Sequence, residues 1–367
     1  MVSREDVAAL AGVSVATVSH VLNSTKYVSP ELQSRVRAAV EKLNYVPNRV
    51  ARSLVTKRTE QVGIIVPSFG NPHHGAIADG MEEIARKNGY TVALFCAEGP
   101  ADHYIASIIE RQLDGLFIAT TAFRFSAEEL QRMVAHGVTL VTPARLLDKD
   151  GRAVQLEYSS ITVDFRSAYR TLFGYLADLG HRRVAFLAGL PEHPTEERCR
   201  CYRDNVRDFG LDSDDELIVY GVYPYLTMVQ DGYTAMKSLL SRETRVTAIV
   251  AVNDLMAIGA LKALREAGVR VPSDVSVVGC DDIVLSEIAT PALTTLEFRQ
   301  REYGRMAMEL LLRGMSGQPP VTVSFDVRLV IRESTGKVNE SWWTRRCPET
   351  ETSDSEVRAG RVLPDHI

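Results

Sequence analysis

From Val62 onward the chain alternates short, continuously apolar runs with amphipathic stretches of helical period, and this alternation restricts the fold more than any other feature. The runs are Val62–Val66, Thr91–Cys96, Gly115–Ala119, Val138–Val141, Val184–Ala188, Ala248–Val252 and Val275–Gly279. Between them, Ile77, Met81, Ile84 and Ala85 share one helical face, and Leu255 to Leu264 is apolar on most sides. Strands that are apolar at every position are buried on both faces, so helices must cover both sides of a parallel sheet. There are too many units for one sheet of ordinary size. A division near Ser160 predicts an α/β body of two doubly wound parallel-sheet lobes. Such sheets bind ligands at the carboxyl ends of their strands, so two facing lobes place a cleft there.

The first 46 residues follow a different pattern, that of an all-α head. Ser3 can cap a first helix with Asp6 three residues on, followed by Val7, Ala8, Leu10 and Ala11. Gly12-Val13-Ser14 makes a turn that ends in a second cap, and Ser29-Pro30 starts a third helix running to about Leu43. Residues 4–23 carry helix-turn-helix spacing: Ala8 is small where two helices pack, and Gly12 supplies a positive φ in the turn. Val7, Ala11, Val13, Val18 and Val21 form the core, which leaves Val15, Ala16, Thr17, Ser19, His20 and Asn23 to face a DNA groove. Val15 and Ala16 fit the groove or touch thymine methyls. His20 can donate to guanine N7 or O6. Thr17, Ser19 and Asn23 suit phosphates, which position without specifying. Pro47 ends the head, and the basic segment of residues 47–60 is a linker too short to hold a helix unaided.

Charge separates the same regions. Residues 1–58 hold nine Lys/Arg against four acids, so this segment is +5 and the remainder −10 of a net −5. A basic head on an acidic body predicts that the head alone meets a polyanion. The five cysteines (Cys96, Cys199, Cys201, Cys280, Cys347) follow neither a disulfide nor a zinc spacing. No phosphate loop, Gly-x-Gly-x-x-Gly turn or nucleophile elbow points to an enzyme, and no cofactor or metal is expected. The absence of a signal-peptide core and of a long apolar run predicts a cytoplasmic protein without a membrane partner. A periplasmic solute-binding protein would explain two lobes but not the basic head. The last segment, residues 337–367, is aperiodic and carries the acid-rich run of residues 349–356, which predicts disorder.

Asp6-Val7-Ala8, the run from Ala11 to Asn23 and the run from Leu43 to Leu54 resemble the head and hinge of the lactose repressor/galactose repressor family. Further landmarks extend the resemblance to about residue 335: Val66-Pro67-Ser68-Phe69-Gly70-Asn71-Pro72, Leu179-Gly180-His181-Arg182-Arg183, Val252-Asn253-Asp254 and Val275 to Asp282. Thr290 to Thr295 resembles the family's crossing back to the first lobe, which implies lobes over 61–160 with 292–322 and 161–291 with 323–336. The resemblance implies a ligand-responsive, sequence-specific transcriptional repressor, a homodimer on a palindromic double-stranded DNA operator, with a sugar-like or nucleobase-like effector in a periplasmic-binding-protein-like sensor. It implies that paired hinges become helical over the minor groove, with Asn48, Arg49 and Arg52 near phosphates and Leu54 wedged between base pairs. It also implies effector contacts from Asn71, His73, His74 and Arg145 on the first lobe and from Arg198, Tyr223, Asn253 and Asp281 on the second. Of the two adjacent acids the effector contact is assigned to Asp281, and capping of the next turn is one role open to Asp282. Departures from the family pattern cluster around this pocket: His73-His74 replaces an aromatic pair, Ala144 an acid, Phe165 an asparagine and Cys280 an aromatic.

Overall fold

A computed structural model describes residues 2–23, 26–46, 53, 56, 58–96, 101–119, 125–143, 156–189, 196–221, 227–242 and 244–339. The chain forms two compact units, Met1–Glu60 and Gln61–Ile367. The first holds α1 (Arg4–Ala11), α2 (Val15–Asn23) and α3 (Pro30–Lys42). Ser3 and Asp6 form a reciprocal capping box on α1, and Gly12 ends it at φ 62°. Ser14 caps α2, its hydroxyl accepting from Thr17 N at 3.1 Å. Ser29 caps α3, with Pro30 at the first position. Val7, Ala8, Ala11, Val18, Val36, Ala39 and Tyr45 close a small core. One clamp had no signal in the residue spacing: Arg35 Nη2 donates to Ala11 O at 2.6 Å and to Gly12 O at 3.2 Å, so α3 ties down the carbonyls at the end of α1.

The body begins with β1 (Gln61–Val66), α4 (Pro72–Lys87), β2 (Thr91–Cys96), α5 (Ala101–Glu110), β3 (Gly115–Ile118), α6 (Ala127–Ala135), β4 (Thr139–Thr142) and β5 (Ser159–Val163). It continues with α7 (Phe165–Asp178), β6 (Val184–Ala188), α8 (Glu196–Asp208), β7 (Ile218–Tyr220), α9 (Val229–Ser241), β8 (Ala248–Ala251), α10 (Asp254–Glu266), β9 (Ser276–Asp281), α11 (Val284–Ile288) and β10 (Thr294–Glu297). The chain then passes through α12 (Gln300–Met315), β11 (Thr322–Phe325) and β12 (Arg328–Val330). Two six-stranded sheets result, in the orders β11-β5-β4-β3-β1-β2 and β12-β10-β9-β8-β6-β7. Every pairing is parallel except that of β12 with β10. The central strands β3, β6 and β8 are buried at every position, as continuous apolar runs require.

The boundaries between lobes differ from those expected. β5, which a division at residue 160 would cut, lies wholly in the first sheet. β10, expected in the first lobe, belongs to the second sheet, and the whole of β11 belongs to the first. The run from Thr290 to Thr295 therefore enters a second-lobe strand, and the crossing follows it, between β10 and α12. The reason is the pairing: β10 takes the free edge of β9, with Thr294 opposite Val278, and β11 the free edge of β5, with Thr322 opposite Ser160. The body also runs past residue 336, since Val338 N donates to Leu179 O at 3.0 Å and Asn339 Nδ2 to Ser273 O at 2.9 Å. The remainder of the expected tail, residues 340–367, lies outside the described residues.

Each lobe contains one pair of helices in backbone contact. A Cβ at Gly80 of α4 would lie 2.0 Å from Arg301 O of α12, and one at Gly304 of α12 2.0 Å from Ile77 O of α4. In the second lobe a Cβ at Gly232 of α9 would lie 2.0 Å from Met256 O, and one at Gly259 of α10 2.0 Å from Val229 O. Only a residue without Cβ permits such an approach. The crossovers are held by rings: Phe298 lies 4.9 Å from Tyr303 and 5.3 Å from Phe325, and the Arg299 guanidinium sits 5.0 Å above Phe325.

Candidate functional site

In the head, α2 exposes Val15 and Ala16 at its first turn and leaves Thr17, Ser19 and His20 partly exposed, while Val18 is fully buried. A turn built this way presents the start of a helix to a groove. The Thr17 hydroxyl lies 2.9 Å from that of Ser14, so Thr17 also belongs to the cap. Asn23 ends the helix, and its side chain lies outside the described residues, as do Asn48, Arg49, Arg52 and Leu54 of the expected hinge. Tyr27, just beyond α2, is 89% exposed, the largest value among the exposed apolar and aromatic side chains described.

In the body, Asn71, His73, His74, Arg198, Asn253 and Asp281 are described, whereas Arg145 and Tyr223, with Ala144, lie outside the described residues. His73, at the start of α4, reaches across the lobes: its Nδ1 is 3.5 Å from Asp281 Oδ1 at the end of β9. Its ring meets His74 edge-on at 5.1 Å and Phe298 at 4.8 Å. Burial pushes His73 down to about 3, with the positive Arg198 adding to the shift. Burial does the same to His74, assisted by His73 and Arg198. The contact to Asp281 is therefore no ion pair at neutral pH. Burial lifts Asp281 to about 7, against the opposing pull of Arg198 and a hydrogen bond from Asn71.

The two asparagines cap helices. Asn71 Oδ1 accepts from His73 N at 3.0 Å. Asn253 Oδ1 accepts from Met256 N at 2.9 Å, and its amide donates to Thr227 O at 2.8 Å and Thr227 Oγ1 at 2.7 Å. Both amide protons of Asn253 thus serve the second lobe, and a single lone pair is left for anything else. Arg198 is fixed by stacking 4.7 Å from the Phe165 ring and by donating to Val252 O. Asp281 sits at φ 121° and Asp282 at φ 55°. The strained backbone of Asp281 is held by Phe298 N, 3.1 Å from its carbonyl, and by Gln300 of the first lobe, whose amide donates to the same carbonyl. Asp282 is taken up by Arg332 at 2.8 Å, a stronger commitment than a turn cap.

Sequence reading missed four participants. Gln300 and Arg332 flank crossovers that were placed elsewhere. Tyr169, one helical turn beyond Phe165, carries a buried hydroxyl on the same face of α7. Met228 approaches Gly70 from the opposite lobe, where an added Cβ would stand 2.8 Å from its methyl. The departure at Phe165 was the available signal for the Arg198 stack.

A helix-turn-helix unit and a two-lobed body whose lobes meet over buried polar groups define the class of ligand-responsive, DNA-binding transcriptional regulators. Residues 5–48 match the model for bacterial regulatory proteins of the lacI family, and residues 173–335 match that for a periplasmic binding protein-like domain. The ribose operon repressor of Escherichia coli (strain K12) is 32% identical over 316 residues, 85% of this chain and 92% of that protein. The structure is similar to a transcriptional regulator CelR–cellobiose complex, with TM-score 0.67 and 30% identity over 91% of this chain and 100% of that one. It is also similar to a lac repressor dimer bound to operator and the anti-inducer ONPF, with TM-score 0.77 and 27% identity over 91% of this chain and 99% of that one. The chain belongs to the lacI family. No single helix among the described residues is long and apolar enough to cross a membrane.

Proposed function

We propose that this regulator is a cytoplasmic repressor that binds a palindromic operator as a homodimer and releases or grips it according to a small polar effector between its lobes. One observation carries the effector reading. Six buried side-chain polar atoms lack a hydrogen-bond partner among the described residues, and four of them, His73 Nδ1, His74 Nδ1, Tyr169 Oη and Asp281 Oδ1, belong to residues grouped around Arg198. Buried polar groups are normally satisfied, so a cluster of exceptions marks where a polar ligand or ordered water completes the bonding. With neutral imidazoles beside one carboxyl and one guanidinium, the set suits an uncharged, polyhydroxylated molecule, sugar-like rather than nucleobase-like. Arg145 and Tyr223 are proposed to complete this site. The ligand is bound and released unchanged, without a cofactor.

On DNA, Val15, Ala16 and His20 read bases, Thr17, Ser19 and Asn23 contact phosphates, and Asn48, Arg49, Arg52 and Leu54 act at the minor groove. A thermal-shift screen of sugars, polyols and nucleobases, followed by operator titrations with each hit, tests the effector reading. A stabilising sugar that changes operator affinity is expected, and a screen in which no small polar molecule stabilises the protein would count against it. For the head, His20→Ala is expected to relax selection at one base pair per half-site, a loss of about 1–3 kcal/mol of discrimination. Unchanged preferences in a binding-site selection experiment would remove His20 from the reading set.

A further inference from the structure

This inference rests on the reading of the inter-lobe cleft as the effector site and concerns how that site is regulated. His73 and His74 project from the first turn of α4 in the first lobe. Opposite them in the second lobe stand Arg198 of α8, Cys280 and Asp281 of β9, and Tyr169 of α7, with Asp254 of α10 behind Asp281. Asn71 bonds Asp281 from the first lobe, and Phe298 and Tyr303 close the side toward α12. Among the described residues Arg198 is the cation of this cluster, and a proton on either imidazole would add a further positive charge beside it. At the cleft mouth, Gly70 and Met228 already meet across the lobes. The lobes are therefore together, with His73 buried and His74 partly exposed, and parting them would open both imidazoles to water.

We propose that lobe closure is proton-coupled through His73 and His74: the closed cleft holds both imidazoles neutral against Arg198 and Asp281, and protonating them opens it. The titration behaviour agrees in sign. Closed, both imidazoles sit at about 3, while solvated imidazoles return toward about 6.5, so each opposes closure as pH falls below that value. Asp281 acts the other way, because at about 7 in the closed cleft it takes up a proton that a solvated carboxylate would refuse. Between pH 7 and pH 5 each imidazole disfavours closure by about 25-fold and Asp281 favours it by about 50-fold, leaving a net loss of about tenfold. Two imidazoles outweigh one carboxyl.

The test uses the full-length, ligand-free protein with Cys96 and Cys347 replaced by serine and spin labels at Phe69→Cys and Gln230→Cys, exposed positions beside Gly70 and Met228. Label distances between pH 7 and pH 5 are compared with the titration of each imidazole, read by mass spectrometry from exchange of its C2 hydrogen. Wild type is expected to lose about tenfold in its closed-to-open ratio with both imidazoles titrating below pH 5, and Asp281→Asn to lose several hundredfold. In His73→Asn/His74→Gln the response should reverse, with acid favouring closure. His74→Gln alone should abolish the wild-type loss and leave about a twofold gain, which guards against a folding defect in the double variant. Titration of either imidazole near pH 6.5, or the same distance response in wild type and the double variant, overturns the proposal. D-ribose, cellobiose and adenine added at fixed pH test the effector reading separately. If none of them narrows the label distance, that reading fails, while proton coupling is still decided by the ligand-free response.

Discussion

The two lobes share one plan and spend their buried polar groups differently. Each has six strands in corresponding order and one helix pair crossed through glycines. The first lobe buries Asn71, His73, Thr142, Ser159 and Ser160, with no buried acid among its described residues. The second buries Asp231, Asp254, Asp274 and Asp281, with His181 and Asn253. Most of these are committed to framework bonds. Asp231 accepts from Met228 N at 3.0 Å, Asp274 holds Arg270 through two contacts of 2.9 and 2.8 Å, and His181 lies 3.0 Å from both Thr247 Oγ1 and Gly336 O. The second lobe therefore carries a rigid, prepaid electrostatic scaffold on which Arg198 and Asp281 are aimed. The first lobe supplies two neutral rings that close over it. Preorganised charge on one side and removable neutral cover on the other is a sensible division for a site that must open and shut.

If the shared plan is real, breaking its common element should hurt both lobes alike. Gly259→Val and Gly304→Val each drive a side chain into a facing carbonyl where an added Cβ already stands 2.0 Å from backbone. Each is expected to cost about 4 kcal/mol or more in denaturant unfolding, beyond ordinary overpacking because backbone cannot rotate away. A large loss at one position and a small loss at the other would show that the lobes are alike in topology only.

That plan was legible in the sequence where strands are wholly apolar. Thr91–Cys96 and Val184–Ala188 were placed to the residue, and the remaining five apolar runs fell within two residues at either end. The strands that escaped notice are polar or lie on edges. β5 reads Ser-Ser-Ile-Thr-Val and β10 Thr-Thr-Leu-Glu, and their hydroxyls are satisfied only by distant partners: Ser160 by Thr322 at 2.9 Å, Thr294 by Thr335 at 2.9 Å. No local pattern announces partners 162 and 41 residues away, so the lobe boundaries were misplaced with these strands. At the site, the residue types at Asn71, His73, Arg198, Asn253 and Asp281 were visible, but not that both asparagines spend their side chains on helix caps. Nor could spacing reveal the Phe165 stack, because it joins α7 to α8 in three dimensions.

The acid content of the second lobe makes a contrast in pH response. Asp254 is fully buried, accepting from Ile283 N at 2.9 Å and Ser286 Oγ at 2.6 Å, with Thr295 donating to its other oxygen. Burial lifts it to about 7, with the neighbouring Asp281 adding to the shift. A group raised in the folded state contributes fully below its unfolded value of 3.8, and that contribution is lost as pH rises through about 7. Asp254→Asn should therefore be more destabilised relative to wild type at pH 5 than at pH 8, the gap narrowing by about 2–3 kcal/mol between them. Chemical denaturation at both pH values measures it. A gap that widens with pH would mean that Asp254 is ionised in the folded protein across this range.

The smallest expected effects lie on the outer faces of the two glycine-crossed pairs, and they differ in kind. In the first lobe the helices are tied by ion pairs, Arg301 to Asp79 and Arg305 to Glu83, each at 2.8 Å. In the second, Tyr233 donates to Glu266 at 2.7 Å and Lys262 lies 4.9 Å over the Tyr233 ring. Exposed ion pairs add little and are screened by salt, since the Debye length contracts to about 3 Å at 1 M. Arg305→Ala should lower the midpoint of thermal unfolding slightly at low salt and not at all at 1 M. Tyr233→Phe should lose a smaller amount, because it keeps the ring beneath Lys262 and removes only an exposed hydrogen bond. If both variants respond equally to salt, the outer contacts do not distinguish the lobes, and the difference between them is confined to the buried acids and the rings that cover them.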